Sequence, residues 1–129
     1  RNPIEYGNLL KDKISKYNVN CWLVNTGWSG GIYGIGKRIS IKDTRILLNA
    51  ALSGELDNIE MRKDSNFGFS VPLKVQNIDS NILDPRNTWK NKDEYDSQAK
   101  KLVQMFIDNF FKFQSDVEEK VRESGPISN

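Results

Sequence analysis

The chain has 129 residues, with 19 basic and 17 acidic side chains, a formal net charge of +2, and 37% hydrophobic and 28% charged residues. That length suits one domain or a piece of a larger one and can bury a core. So small and dispersed a charge predicts neither a nucleic-acid nor a membrane partner. There is no histidine and a single cysteine, Cys21. This excludes a Ser-His-Asp triad, a His-based metal site and an internal disulfide. Without a histidine base, Cys21 reads as a packing residue in a reducing, cytoplasmic setting rather than as a catalytic thiol. No stretch approaches the roughly 20 apolar residues of a membrane span.

Arg1-Asn2-Pro3 is not an initiator sequence, and no Met precedes Met61; the expectation is a piece of a longer protein. Ile4, Leu9, Leu10, Ile14 and Tyr17 recur on one face and predict a helix from about Pro3 to Lys16, with Pro3 suited to its first turn. Cys21 to Val24 is a short apolar run that reads as a buried strand. Five glycines then fall between Gly27 and Gly36, and residues 25–37 read as a glycine loop. Ser40-x-x-Asp43 is an acidic capping box before an apolar run. It predicts a helix that buries Ile41, Leu47, Leu48, Ala51 and Leu52 and ends near Gly54.

Ile59 to Arg62 and Phe67 to Val71 alternate like strands, the second stopped by Pro72. Asp84 to Trp89 reads as a turn, tied by a local Asp84–Arg86 salt bridge. Asn91-x-x-Glu94 caps a long final helix. Its stripe of Tyr95, Ala99, Leu102, Val103, Phe106, Ile107, Phe110 and Phe113 is core rather than ligand site. Trp22, Trp28 and Trp89 read as packing residues, since no basic stripe accompanies them. Gly125 to Asn129 reads as a frayed end.

The glycine loop carries the functional question. A strand, a glycine loop and a helix N-terminus together present backbone N–H groups to an anion. From Gly31 the spacing is G-x-x-x-x-G-K, but Arg38 stands where a Walker A loop needs a Ser or Thr to ligate Mg²⁺. Gly34 and Gly36 begin a dinucleotide template that Ile39 breaks. Three readings stay open: a phosphate cradle, a surface loop whose turns need glycine, or a loop touching another part of a nucleotide. Arg38, at the helix start, can stack on a purine or pair with a phosphate, or be a solvated arginine. Thr44, one turn past Ser40, can face the same ligand or back-bond inside its helix.

The segment Leu23-Val24-Asn25-Thr26-Gly27-Trp28, with Gly30-Gly31-x-Tyr33-Gly34-x-Gly36-Lys37-Arg38-Ile39-Ser40-Ile41-Lys42-x-Thr44-Arg45, resembles the C-terminal region of the ATP-dependent phosphoenolpyruvate carboxykinase family. Leu48-Asn49-Ala50-Ala51-Leu52-x-Gly54-x-Leu56, Ile82-Leu83-Asp84-Pro85-Arg86-Asn87-Thr88-Trp89 and Phe106-Ile107-x-Asn109-Phe110 agree in the same order. The resemblance runs from about residue 3 to residue 113. It implies a mixed α/β portion of the C-terminal nucleotide-binding domain over residues 1–113, with 114–129 as a C-terminal tail.

The family's reaction, a carboxy-lyase step of gluconeogenesis, converts oxaloacetate and ATP to phosphoenolpyruvate, ADP and CO₂. The resemblance implies a cytoplasmic enzyme using ATP with Mg²⁺ and Mn²⁺. The phosphate loop, metal ligands and catalytic residues would lie upstream of this chain, in the remainder of the parent enzyme. Residue by residue, it implies that Arg38 packs its guanidinium against the adenine, Ile39 lines the base, and Thr44 hydrogen-bonds the base edge. Ser40, Ile41, Lys42 and Asp43 would complete that segment, making the Walker-like glycines a decoy. The alternative from another class is a standalone nucleotide-binding or interaction module that reuses this fold without catalysis.

Overall fold

Asn2 opens the first helix, its side chain accepting the Ile4 amide at 3.1 Å. A computed structural model describes residues 2–127, and this helix, α1, spans Pro3–Tyr17 with Pro3 in its first turn. Asn18 ends it in the left-handed region, φ 47°, which asparagine tolerates better than most residues. No residue of α1 is fully buried. Ile4 and Ile14 are half-buried, but Leu9, Leu10 and Tyr17 of the expected inner face are exposed.

The apolar run after α1 is not a strand. Residues 21–26 are unassigned to any helix or ladder, because no partner strand among the described residues takes up their backbone hydrogen bonds. Cys21 is exposed, and Leu23 is 88% exposed. Trp22 and Val24 alternate with them as half-buried residues. The buried indole N–H of Trp22 has no hydrogen-bond partner among the described residues.

Two short antiparallel pairs follow. β1 (Trp28–Ser29) pairs with β2 (Lys37–Arg38), Trp28 opposite Arg38 and Ser29 opposite Lys37. Helix α2 (Ile41–Leu52) then starts on Ser40, whose hydroxyl accepts the Asp43 amide at 3.0 Å. The Ser40 hydroxyl in turn donates to the Asp43 carboxylate at 2.6 Å, so both side chains of the capping box turn to each other. Ser53 caps the far end and Gly54 follows at φ +80°, the left-handed position a helix stop favours. β3 (Met61–Lys63) and β4 (Ser70–Pro72) pair antiparallel with Arg62 opposite Val71. Asp64 shapes their connection by accepting the Asn66 and Phe67 amides at 3.1 and 2.7 Å.

The expected turn over Asp84 to Trp89 is helical. α3 (Ser80–Leu83) and α4 (Pro85–Thr88) are single turns joined at Asp84, and Pro85 occupies the first position of α4, where its missing N–H costs nothing. The expected Asp84–Arg86 salt bridge does not form. Arg86 reaches ten residues on and makes a two-pronged pair with Asp96, at 2.8 and 2.9 Å. Asp84 instead accepts from Asn87 at 2.9 Å and faces Arg62 at 3.6 Å. A carboxylate that receives both guanidinium prongs fixes position and angle together, which a neighbour two residues away on a tight turn does not.

Helix α5 (Lys92–Phe110) begins on Asn91, whose side chain accepts the Asp93 and Glu94 amides. Ala99 and Val103 are its buried residues, while Leu102 and Phe106 of the expected stripe are exposed. A 3₁₀ turn, Gln114–Asp116, and helix α6 (Glu119–Glu123) follow. The end is less frayed than expected: Gly125 and Pro126 are half-buried, and the Ile127 amide donates to the Asn66 carbonyl at 3.1 Å. Ser128 and Asn129 lie outside the described residues.

The central core gathers Ala50, Leu56, Val75 and Ile78, with Trp22, Ile46, Leu47, Ala51, Ile59, Ile82 and Leu83 packed against them. Of the stripe expected on helix α2, Leu47 and Ala51 face this core, joined by Ile46 and Ala50, whereas Ile41 is 73% exposed and Leu52 85% exposed. The architecture is mixed α/β, helices around two small antiparallel sheets.

Candidate nucleotide-binding groove

The glycine run forms the tip of the β1–β2 hairpin rather than a loop from strand to helix. Gly36 holds the two arms together: a side chain there would place its Cβ 2.6 Å from the Gly31 carbonyl oxygen and 2.9 Å from that of Ser29. Ile35 and Gly36 donate their amides to the Ile32 carbonyl, each at 3.0 Å, and Ile39 donates to Gly27 at 2.9 Å. Several amides that a phosphate cradle would offer are thus spent inside the hairpin. The first turn of α2 is also engaged by Ser40. The strand expected ahead of the run, at Cys21 to Val24, is absent; β1 lies within the expected loop, and β2 separates the hairpin tip from α2, which begins at Ile41 as Ser40 predicts.

What this geometry presents instead is a groove of about 1220 Å³. One wall is the hairpin and the start of α2; the other is the α4–α5 connection and the first turns of α5, with Trp89, Gln98 and Lys101. Arg38, Ile39, Ser40 and Asp43 line it, whereas Ile41, Lys42 and Thr44 do not. Arg38 is exposed and makes no salt bridge among the described residues. Its guanidinium is therefore available to a flat or anionic partner. Thr44 is half-buried one turn into α2; its amide donates to the Ser40 carbonyl at 3.0 Å, and its hydroxyl does not back-bond there.

Trp89 packs edge-on against Tyr95, ring centroids 5.7 Å apart. Burial, with Asp64 and Asp84 nearby, pushes the Tyr95 phenol above its ordinary value, so it stays neutral. A second, polar cavity of about 460 Å³ lies around Arg62, Arg86 and Tyr95. Its arginines are already engaged, Arg62 by the Leu83 carbonyl at 2.9 Å and Arg86 by Asp96, which leaves the hairpin groove as the better place for a ligand.

The groove residues that sequence reasoning missed are on the far wall. Thr88 was legible only as part of a turn, yet its hydroxyl donates to the Pro85 carbonyl at 2.7 Å. A threonine three residues after a proline at a helix start is the available signal for that bond.

These residues now have a family context. The family model described as phosphoenolpyruvate carboxykinase matches residues 1–81. A protein from Rhizobium etli (strain CIAT 652), named phosphoenolpyruvate carboxykinase (ATP), is 63% identical over 126 residues, covering 98% of this chain. Proteins of the same name from Allorhizobium ampelinum and Parvibaculum lavamentivorans are 59% and 58% identical over 127 and 128 residues. The chain belongs to the phosphoenolpyruvate carboxykinase family. It spans 24% of the length of each of these relatives, and the similarity continues past residue 113 into the tail.

Proposed function

We propose that the chain is part of an ATP-dependent phosphoenolpyruvate carboxykinase and supplies the adenine side of its ATP site. The observation that carries this reading is Arg38: exposed, without a salt bridge among the described residues, and placed on a groove wall immediately before a capped helix. Its guanidinium stacks on the adenine and Ile39 lines the base, with Ser40 to Asp43 shaping the segment; Thr44, one turn into α2 and outside the groove lining, is assigned the base edge on the family resemblance alone. Residues 1–113 contribute to the C-terminal nucleotide-binding domain and 114–129 form its tail. Among the described residues no three His, Cys, Asp or Glu side chains converge as a metal site requires. This reading assigns the Mg²⁺ and Mn²⁺ of the reaction to residues elsewhere in the complete protein, as it does the phosphates and oxaloacetate. The reading places the enzyme in the cytoplasm, on the family resemblance.

The complete protein, given oxaloacetate, ATP and both metals, is expected to release CO₂ and form phosphoenolpyruvate and ADP. No turnover would end this reading. In that protein Thr44→Val is expected to raise KM for ATP about two- to tenfold, the range of one lost hydrogen bond, and to weaken GTP less. Equal losses for the two nucleotides, measured in steady-state kinetics, would remove Thr44 from the base edge.

A further inference from the structure

We infer that Ser29 and Thr88 form a positioning pair that holds Arg38 in place for the nucleotide, an inference that rests on the adenine reading above. The Ser29 hydroxyl donates to the Thr88 hydroxyl at 3.2 Å across 59 residues of sequence. Thr88 donates its own hydroxyl to the Pro85 carbonyl at 2.7 Å, so a single hydroxyl accepts from the hairpin and donates to α4. Next to it, Gly30 runs so close that a Cβ there would lie 3.2 Å from the Thr88 carbonyl oxygen. Its φ of +83° also belongs to glycine. The glycine run therefore serves as a seat on Thr88.

The rest of the hairpin's hydrogen bonds are local. Gly27 donates to the Asn25 side chain, Ile35 and Gly36 to Ile32, and Ile39 to Gly27. A two-stranded hairpin is marginal by itself in water, so an outside tie matters more than its single bond suggests. Ser29 stands opposite Lys37, and its neighbour Trp28 opposite Arg38. Fixing Ser29 thus fixes the strand that carries Arg38. Thr88 is anchored in turn, because Arg86 clamps α4 to Asp96 of α5. The line of support runs from the long helix through α4 and the two hydroxyls to β2. An exposed arginine loses freedom when it stacks on a ligand, and a fixed backbone beneath it lowers that cost.

The test is a kinetic set in the complete enzyme. Thr88→Val keeps the shape and removes the hydroxyl; it is expected to raise KM for ATP about two- to tenfold, the worth of one net hydrogen bond, with kcat within about twofold. Thr88→Ser keeps the hydroxyl and is expected to restore KM. In an Arg38→Ala background, Thr88→Val is expected to add no further change, since the side chain it positions is gone. A residue that only stabilised the fold would lower the melting temperature and would not show this dependence on Arg38. The inference is overturned if Thr88→Val leaves KM for ATP at the wild-type value, or raises it by the same factor with and without Arg38. An effect of Arg38→Ala alone, with none from Thr88→Val, removes the pair and leaves the adenine reading standing. No effect from Arg38→Ala removes both.

Discussion

The 129-residue chain alone is expected to show no oxaloacetate decarboxylation and no phosphoryl transfer above a buffer blank when given ATP, Mg²⁺ and Mn²⁺. Phosphoryl transfer rests on metal ions and a cradle of donors around the phosphates. The one glycine run with Walker-like spacing does not build that cradle. It closes as a hairpin tip, donates amides of Ile35 and Gly36 to Ile32, and puts Arg38 where a metal-ligating hydroxyl would stand. A coupled assay for ADP and a CO₂-release assay check this directly. Turnover by the isolated chain would place catalytic groups inside it and overturn the division of labour proposed above.

The second large effect is expected at Arg38 in the complete enzyme. A guanidinium over an aromatic face contributes roughly 1–2 kcal/mol, or about five- to thirtyfold in affinity. The adenine lies far from the transferred phosphoryl group, so this contact is as strong in the ground state as in the transition state. Its loss therefore appears in KM and not in kcat. Arg38→Ala is expected to raise KM for ATP by that factor and leave kcat within about threefold. Arg38→Lys should rescue poorly, because an ammonium presents no flat face to the ring. An unchanged KM for ATP in Arg38→Ala would return Arg38 to the solvent-exposed surface.

What could be read in advance follows the range of the interactions involved. Ser40 and Asn91 cap through bonds spanning two or three residues, and the starts of α2 and α5 were legible from those residues alone. The family was legible from motif order over most of the chain. The hairpin was not, because glycine spacing states where the backbone can bend and leaves the strand pairing to contacts made elsewhere. The strand expected at Cys21 to Val24 failed for a related reason: an apolar run specifies burial, while a strand also needs a partner's hydrogen bonds. Arg86 had an acidic neighbour two residues away and chose one ten residues away, a choice set by the approach of α4 to α5. In the core, Leu56, Val75 and Ile78 lie outside any helix or strand, where no periodicity marks them. Of the segment proposed to meet the nucleotide, the groove brings Arg38, Ile39, Ser40 and Asp43 to one wall; Thr88, on the other, became visible only in three dimensions.

The clamp between Arg86 and Asp96 makes this support sensitive to acid. The hydrogen bonds from Arg86 hold the Asp96 carboxyl below its ordinary value. A carboxyl whose folded value is depressed contributes stability that is fully present above its unfolded value, about 3.9, and is lost as pH falls through the folded value. Both side chains are substantially exposed, 43% and 41%, so solvent screens the pair and the effect is modest. Asp96→Asn in the complete protein is expected to lower the melting temperature at pH 7, with the gap from the parent closing once acid protonates Asp96 in the folded protein. An equal gap at neutral and acid pH would exclude the carboxylate as its source. With the pair intact at neutral pH, α4 keeps its hold on the glycine hairpin; as protons neutralise Asp96, the first member of that support to loosen lies on α5, away from the hairpin itself.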